Sequence, residues 1–308
     1  MLEESGGRRY YDRRVQNIKT AANFRIYWLL EAEMTEGIID FHAHAFPDSL
    51  APRAMKKLLE EAPDVKAYLD GTIGTLLGSM DNSGIDKSVV CCIATRPEQF
   101  EPIFDWCMKA RSERIIFFPS VHPGDPRCIE RIGLIKREGF KGIKLHPFYQ
   151  EFYADEQRLF EMYRKLCDED MMVVMHTGFD IAFPKERRAD PEKLLKIKNA
   201  FPKLKFITTH LGAWQQWDEV QELLIGQEIY MEISFAFDYM SPETARKMLM
   251  CHPEEYILFG TDSPWTNQGK TLLQLKNLMI PEKKLESILS RNAMSLLGLS
   301  RDRPNCRK

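Results

Sequence analysis

Short apolar runs alternate with longer amphipathic stretches from residue 38 onward. The runs are rich in Val, Ile and Phe and are apolar almost throughout, which is typical of parallel strands buried on both faces. The pattern predicts eight strands, at Ile38–Phe41, Ser88–Ile93, Ile115–Val121, Gly142–Leu145, Met171–Met175, Lys205–Thr208, Ile229–Ile233 and Tyr256–Phe259.

The stretches between the runs carry helix start signals. Asp125-Pro126 predicts a helix that ends at Gly139, and Asp155 predicts the start of the next helix. Asp190-Pro191 and Ser241-Pro242 combine an N-cap residue with a first-turn proline. Further helices are predicted over residues 52–61, 70–82 and Leu285–Leu299.

Eight strands, each followed by helical sequence, predict a (β/α)8 TIM barrel. A doubly wound open sheet, the main competing fold, would carry a glycine-rich phosphate loop after a strand, and neither G-x-G-x-x-G nor G-x-x-x-x-G-K-[ST] occurs. Because no linker rich in Gly, Pro or Ser divides the chain, we predict one barrel domain over residues 35–300 and a tail over residues 301–308.

Residues 1–34 differ from the rest of the chain. Arg8–Arg14 is charged and aromatic, and the apolar run Ile26–Leu30 is too short for the core of a signal peptide. A second methionine, Met34, stands just before the first predicted strand. We therefore expect an N-terminal extension, which is either an optional helix or the product of a wrongly assigned start.

Composition narrows the function classes. The 308 residues are 44% hydrophobic and 29% charged, which is typical of a soluble globular protein. The formal net charge of -2 argues against nucleic acid or an anionic membrane as partner. No apolar run is long enough to span a membrane. The seven cysteines form no C-x-x-C pair, so we expect free thiols and a cytoplasmic location.

The histidines give the strongest functional signal. His42 and His44 are two residues apart, so on a strand they share one face. His122, His146, His176 and His210 also lie at or just past the ends of predicted strands, and Asp262 follows the eighth strand. In a barrel these ends converge on one mouth, where catalytic groups collect.

Neutral imidazoles with a carboxylate suit a divalent ion, most of all Zn²⁺, with Mn²⁺, Fe²⁺ and Co²⁺ as alternatives. An ion with an open coordination position lowers the pKa of bound water to about 7 and so supplies a nucleophile at neutral pH. Asp262 could orient that water and then carry its proton to a leaving group.

Five motifs in order carry a family resemblance over roughly residues 35–299. They are Asp40-x-His42-x-His44-x-x-Pro47, Lys144-Leu145-His146-Pro147, His176-Thr177-Gly178, His210-Leu211-Gly212 and Gly260-Thr261-Asp262-Ser263-Pro264. They resemble the amidohydrolase-related superfamily of metal-dependent TIM-barrel hydrolases, and most closely its branch containing aminocarboxymuconate-semialdehyde decarboxylase. The resemblance implies that His42, His44, His176 and Asp262 bind metal. It leaves His210 either a ligand or the residue that activates water or polarises the substrate.

Lys144 and His146 share one face of the fourth strand, where a lysine is costly unless it is paired. Lys144 is either a carboxylated bridge between two ions or an ammonium that pairs with Asp262 or holds an anionic substrate. We favour the ammonium and a single ion, because the single-ion branch is the closer resemblance. His146 then either faces the substrate or supports a metal ligand from behind. Trp214 belongs to an aromatic lid, and Arg96 binds a carboxylate or forms a surface salt bridge.

The two remaining histidines are not expected to bind the metal. His122 is expected to stabilise a turn, and His252 to be structural.

We expect hydrolysis of a small amide, lactone or ester, with decarboxylation of an unsaturated or aromatic carboxylic acid as the alternative. A purely structural metal is a weaker third reading, because structural zinc sites draw their ligands from nearby residues. The partner is a small-molecule substrate, and a homo-oligomer remains an option.

Overall fold

The computed structural model describes residues 37–299, so the predicted extension over residues 1–34 and the tail over residues 301–308 lie outside the described residues. All eight strands form close to their predicted positions. They are β1 (Ile38–Ala43), β2 (Ile85–Cys91), β3 (Ile115–Phe118), β4 (Gly142–Leu145), β5 (Met172–Met175), β6 (Lys205–Thr208), β7 (Tyr230–Glu232) and β8 (Ile257–Leu258).

The strands run parallel in the order β1-β2-β3 and β4-β5-β6-β7-β8. Two seams join these groups into a closed ring. Lys144 N donates to Pro119 O at 2.9 Å between β4 and the end of β3, and Phe41 N donates to Phe259 O at 2.8 Å between β1 and the end of β8. The predicted (β/α)8 barrel is therefore confirmed.

Eleven α-helices lie in the described part of the chain. They are α1 (Ala51–Glu61), α2 (Ile73–Ser83), α3 (Phe100–Ala110), α4 (Cys128–Arg137), α5 (Phe160–Asp168), α6 (Pro191–Ala200), α7 (Trp217–Leu223), α8 (Pro242–Cys251), α9 (Gln268–Asn277), α10 (Glu282–Glu286) and α11 (Asn292–Leu297). A π-helical segment, Ser287–Arg291, joins the last two, so the predicted closing helix is interrupted. Leu296 and Leu297 of α11 belong to the same buried cluster as Ile39 and Phe41 of β1.

Two of the four predicted helix starts are confirmed, and two are wrong. Asp190 and Ser241 cap α6 and α8 as expected, each accepting a hydrogen bond from a backbone N–H in the first turn. Asp125 instead closes a turn before α4, where its backbone oxygen accepts from Cys128 N at 2.9 Å. Asp155 pairs with Lys196 Nζ at 2.7 Å, and α5 begins only at residue 160, after a short 3-10 turn.

Candidate metal centre

A cavity of about 1070 Å³ opens where the strands end. Every sequence-predicted site residue lines it. These are His42, His44, Arg96, Lys144, His146, His176, His210, Trp214 and Asp262. Most of them are buried, whereas Arg96 is exposed.

His42, His44 and Asp262 converge on one point. The Nε2 atoms of the two imidazoles are 3.1 Å apart, and Asp262 Oδ1 lies 3.1 Å from His44 Nε2 and 3.6 Å from His42 Nε2. His44 Nδ1 lies 2.7 Å from the backbone oxygen of Cys91, an acceptor, so Nδ1 carries the proton. His42 Nδ1 lies 3.0 Å from Glu232 Oε1, which fixes the same tautomer.

These tautomers leave lone pairs on both Nε2 atoms, facing each other and a carboxylate oxygen. Three electron-pair donors so close together repel one another unless a cation or a donated proton lies among them. Burial, reinforced by Lys144, lowers the pKa of His42 well below its usual range, which favours a metal ion over a proton. Burial acts to raise the pKa of Asp262, but the neighbouring His42 and His44 hold it well below its usual range. The donor set therefore fits a divalent metal.

A second donor pair is formed by His176 and His210. His176 Nε2 donates to Phe179 O at 3.0 Å, and His210 Nδ1 donates to Ser234 O at 3.1 Å. The lone pairs of His176 Nδ1 and His210 Nε2 consequently face each other at 3.1 Å. Burial lowers the pKa of each imidazole to about 3, so both are neutral and able to coordinate.

Lys144 lies in the interior, as its position on β4 predicted. Its side chain is 1% exposed, and Nζ lies 3.0 Å from His42 Nε2. Burial lowers its pKa, while the carboxylates of Asp262 and Glu232 oppose that shift. The amine is thus adjacent to the first donor group rather than at the rim of the cavity.

His146 lies beside the second donor pair. Its ring stacks on His176 with centroids 4.2 Å apart, and Asp180 Oδ2 lies 3.4 Å from His146 Nε2 and 3.5 Å from His176 Nε2. Burial lowers the pKa of His146 to about 4. Sequence reasoning missed Asp180, because it follows β5 in a loop with no recognisable motif.

Glu232, at the end of β7, is the main site residue that the sequence did not reveal. Its fully buried carboxylate lies directly behind His42, and Gly260 makes room for it, since a Cβ there would lie 2.3 Å from Glu232 Oε2. Burial raises the pKa of Glu232, and interactions with His210 and Ser234 oppose the rise. The sign that could have revealed it is its position, because it is the acidic residue inside the predicted strand Ile229–Ile233.

Asp40 ties the first and last strands together at the site. Its fully buried carboxylate accepts from Thr261 N at 3.0 Å, from Thr261 Oγ1 at 2.6 Å and from Gln268 Nε2 at 2.7 Å. Asp262 N in turn donates to His42 O at 2.7 Å. Asp262 has a φ of 61°, an uncommon backbone conformation that these bonds hold in place.

Two aromatic groups flank the cavity. Phe148, Tyr149 and Phe183 pack on one another beside His146, with ring centroids 4.9–5.4 Å apart for the contacts to Phe183. Trp214 and Phe235 form the other group, with centroids 6.0 Å apart. Trp214 therefore lies in the wall of the cavity, and its role in an aromatic lid stays a prediction.

Two histidines lie apart from the cavity lining. His122 Nδ1 accepts from Gly124 N at 3.0 Å, which matches the expected turn-stabilising role. His252 Nε2 donates to Ile229 O at 2.9 Å, away from the strand ends that carry the site. Within residues 37–299, no helix is long and apolar enough to cross a membrane.

Comparison with known proteins gives one family match. The amidohydrolase family model matches residues 39–299. No curated protein matches the chain significantly in sequence.

Solved structures with the same fold include several decarboxylases. A 2,6-dihydroxybenzoate decarboxylase complexed with 2,6-dihydroxybenzoate is 17% identical, with a TM-score of 0.63 over 86% of this chain and 100% of that one. The 5-carboxyvanillate decarboxylase of Sphingomonas paucimobilis is 12% identical, with a TM-score of 0.64 over 86% and 99%. A dihydroxybenzoic acid decarboxylase of Polaromonas sp. JS666 with bound manganese is 15% identical, with a TM-score of 0.63 over 86% and 97%. Because the sequence identities are 12–17%, the similarity to these structures establishes the fold alone.

Proposed function

Because the chain belongs to the amidohydrolase family, we propose that it is a metal-dependent enzyme that decarboxylates a small unsaturated or aromatic carboxylic acid. The observation that supports metal dependence is the convergence of three atoms at the mouth of the barrel, His42 Nε2, His44 Nε2 and Asp262 Oδ1. The decarboxylases that share the fold support this reaction over hydrolysis, which the sequence had favoured.

His42, His44 and Asp262 are the proposed ligands of one divalent ion, with His176 as the fourth. When bound, the ion would supply a positive charge that orients a carboxylate or hydroxyl of the substrate. The donor set suits Zn²⁺, and the manganese in one decarboxylase with this fold makes Mn²⁺ the first alternative.

The chain's own groups suit an anionic, planar substrate. The Lys144 ammonium near the donor group attracts the carboxylate, and Arg96 can do so at the cavity rim. The aromatic walls around Phe148 and Trp214 bind the face of an apolar ring and exclude water. Loss of CO2 requires a proton at the carbon that carried it. Asp262 and His210 are the proposed proton carriers.

Hydrolysis is the second candidate because of the second donor pair. His176 Nδ1 and His210 Nε2 converge separately from the first group, and Lys144 is buried beside His42. A carboxylated lysine could bridge two ions in such a site, and a bound water would then attack an amide, lactone or ester. The two reactions release different products.

The test is a metal analysis followed by an activity screen of the reconstituted enzyme. Hydroxybenzoates and unsaturated acids should release CO2, with one solvent deuteron incorporated per turnover in D2O, whereas lactones and esters should remain intact. His176→Ala should lose metal and turnover, while His252→Gln, which removes a histidine outside the site, should retain both. Lactone or ester hydrolysis without CO2 release would favour the second candidate. Full metal content in His176→Ala would remove that residue from the proposed ligands.

A further inference from the structure

Strand β7 supplies none of the proposed ligands, yet it ends in a buried acid that touches two of the site histidines. Glu232 Oε1 lies 3.0 Å from His42 Nδ1 and 3.1 Å from the backbone N of His210. We propose that Glu232 is a positioning residue that fixes the tautomer and direction of His42 and thereby completes the metal centre. This inference rests on the proposed function, because it assumes that His42 binds the ion.

The role follows from the two nitrogens of one imidazole ring. A neutral His42 carries a single ring proton, and only the nitrogen without it can bind a metal. Because Glu232 Oε1 accepts the proton at Nδ1, the lone pair is at Nε2, which points at His44 and Asp262. A carboxylate behind a ligand histidine also increases the donor strength of the coordinating nitrogen.

The carboxylate is itself held rigidly. Ser234 N donates to Glu232 Oε2 at 2.7 Å, and Ser234 Oγ donates to Oε1 at 2.8 Å. Together with His42 and His210, these donors occupy both oxygens, so every hydrogen bond at the carboxylate is an accepted one. The missing Cβ at Gly260 leaves space for Oε2.

An amide in place of this carboxylate cannot reproduce the pattern. In Glu232→Gln one oxygen becomes an NH2 group, which must face either Ser234 N or the pair formed by His42 Nδ1 and the backbone N of His210. If the NH2 group faces Ser234 N, two hydrogen-bond donors meet and neither has an acceptor. If the NH2 group faces His42, Nδ1 must accept its hydrogen bond. The ring proton then moves to Nε2, and the lone pair that the metal needs is lost.

The experiment compares Glu232→Gln with Asp190→Asn in the full-length protein. Asp190 is an equally buried carboxylate that caps α6, and no metal-centre histidine is among its hydrogen-bond partners. Two quantities are measured, the dissociation constant for Co²⁺ with its visible absorption spectrum, and the His42 tautomer by 15N NMR of histidine-labelled, metal-free protein. His42→Ala is included as a reference for loss of a ligand.

We expect Glu232→Gln to bind Co²⁺ about 10–100-fold more weakly than wild type, with an altered spectrum. In the metal-free protein its His42 should shift toward the Nε2–H tautomer, whereas Asp190→Asn should match wild type in both measurements. Wild-type Co²⁺ affinity and spectrum in Glu232→Gln, with weak binding in His42→Ala, would overturn the role of Glu232 alone. Wild-type affinity in His42→Ala would overturn the proposed metal centre and this inference with it.

Discussion

At the scale of single residues, Lys144 is the group on which the number of ions depends. An unpaired ammonium in a protein interior is unfavourable, and Nζ of Lys144 lies 3.0 Å from Nε2 of His42, which carries no negative charge. The carboxylates of Asp262 and Glu232 act on this amine without reversing the effect of burial, so an anionic substrate or a carboxyl group added to the amine would each stabilise it further. The two explanations differ in what happens when the amine is removed.

Lys144→Met keeps the length of the side chain and removes its charge. If the ammonium holds the substrate, the variant should keep one equivalent of metal and bind a carboxylate inhibitor about 10–100-fold more weakly, since a charge-assisted hydrogen bond contributes about 1.5–3 kcal/mol. Metal analysis and calorimetric titration of the inhibitor check this. A fall from two equivalents of metal to one, with unchanged inhibitor affinity at the remaining ion, would instead show that Lys144 bridges two ions.

At the scale of secondary structure elements, helix α8 offers a test well separated from the chemistry. Ser241 Oγ accepts from Thr244 N at 3.1 Å and so satisfies one of the free N–H groups at the helix start. Ser241→Ala should lower the free energy of unfolding by about 1 kcal/mol, measured by urea denaturation, with wild-type turnover. Ser241→Asp, which restores a capping oxygen, is the matched control and should recover most of the loss. Equal losses in both variants would mean that the cap is not the cause.

The elements also show what a sequence can and cannot reveal. Apolar runs located all eight strands, because parallel strands are buried on both faces, and strand ends located the histidines. Glu232 escaped detection because its partner His42 is 190 residues away, and a lone acid in a strand usually faces water. The predicted helix start at Asp125 is wrong because an aspartate side chain can cap a helix or close a turn, and the local sequence is the same in both cases.

At the scale of the whole molecule, buried neutral histidines couple stability to pH. Burial lowers the pKa of His252 to about 4, whereas in the unfolded chain a histidine titrates near 6.5. Between these values the unfolded chain binds more protons than the folded protein, so acidification favours unfolding. The stability that His252 contributes is present above about pH 6.5 and is lost as the pH falls toward 4.

His252→Gln should therefore weaken the pH dependence of folding. Its amide can still donate to Ile229 O, but it does not titrate. Between pH 7 and pH 5 the free energy of unfolding should fall by about 2 kcal/mol less in the variant than in wild type. Urea denaturation of both metal-free proteins at the two pH values measures this difference. Parallel losses in the two proteins would show that His252 does not contribute.

The seam between β1 and β8 has a consequence for biosynthesis. Asp40 and Thr261, whose hydrogen bonds join the two sides, are separated by 221 residues. A nascent chain that has already emerged as far as His210 possesses every histidine of the site, yet it lacks Asp262 and the strand that carries it. The ribosome must deliver nearly the whole barrel before His42, His44 and Asp262 can meet. A chain that stops before Asp262 therefore cannot assemble the donor group.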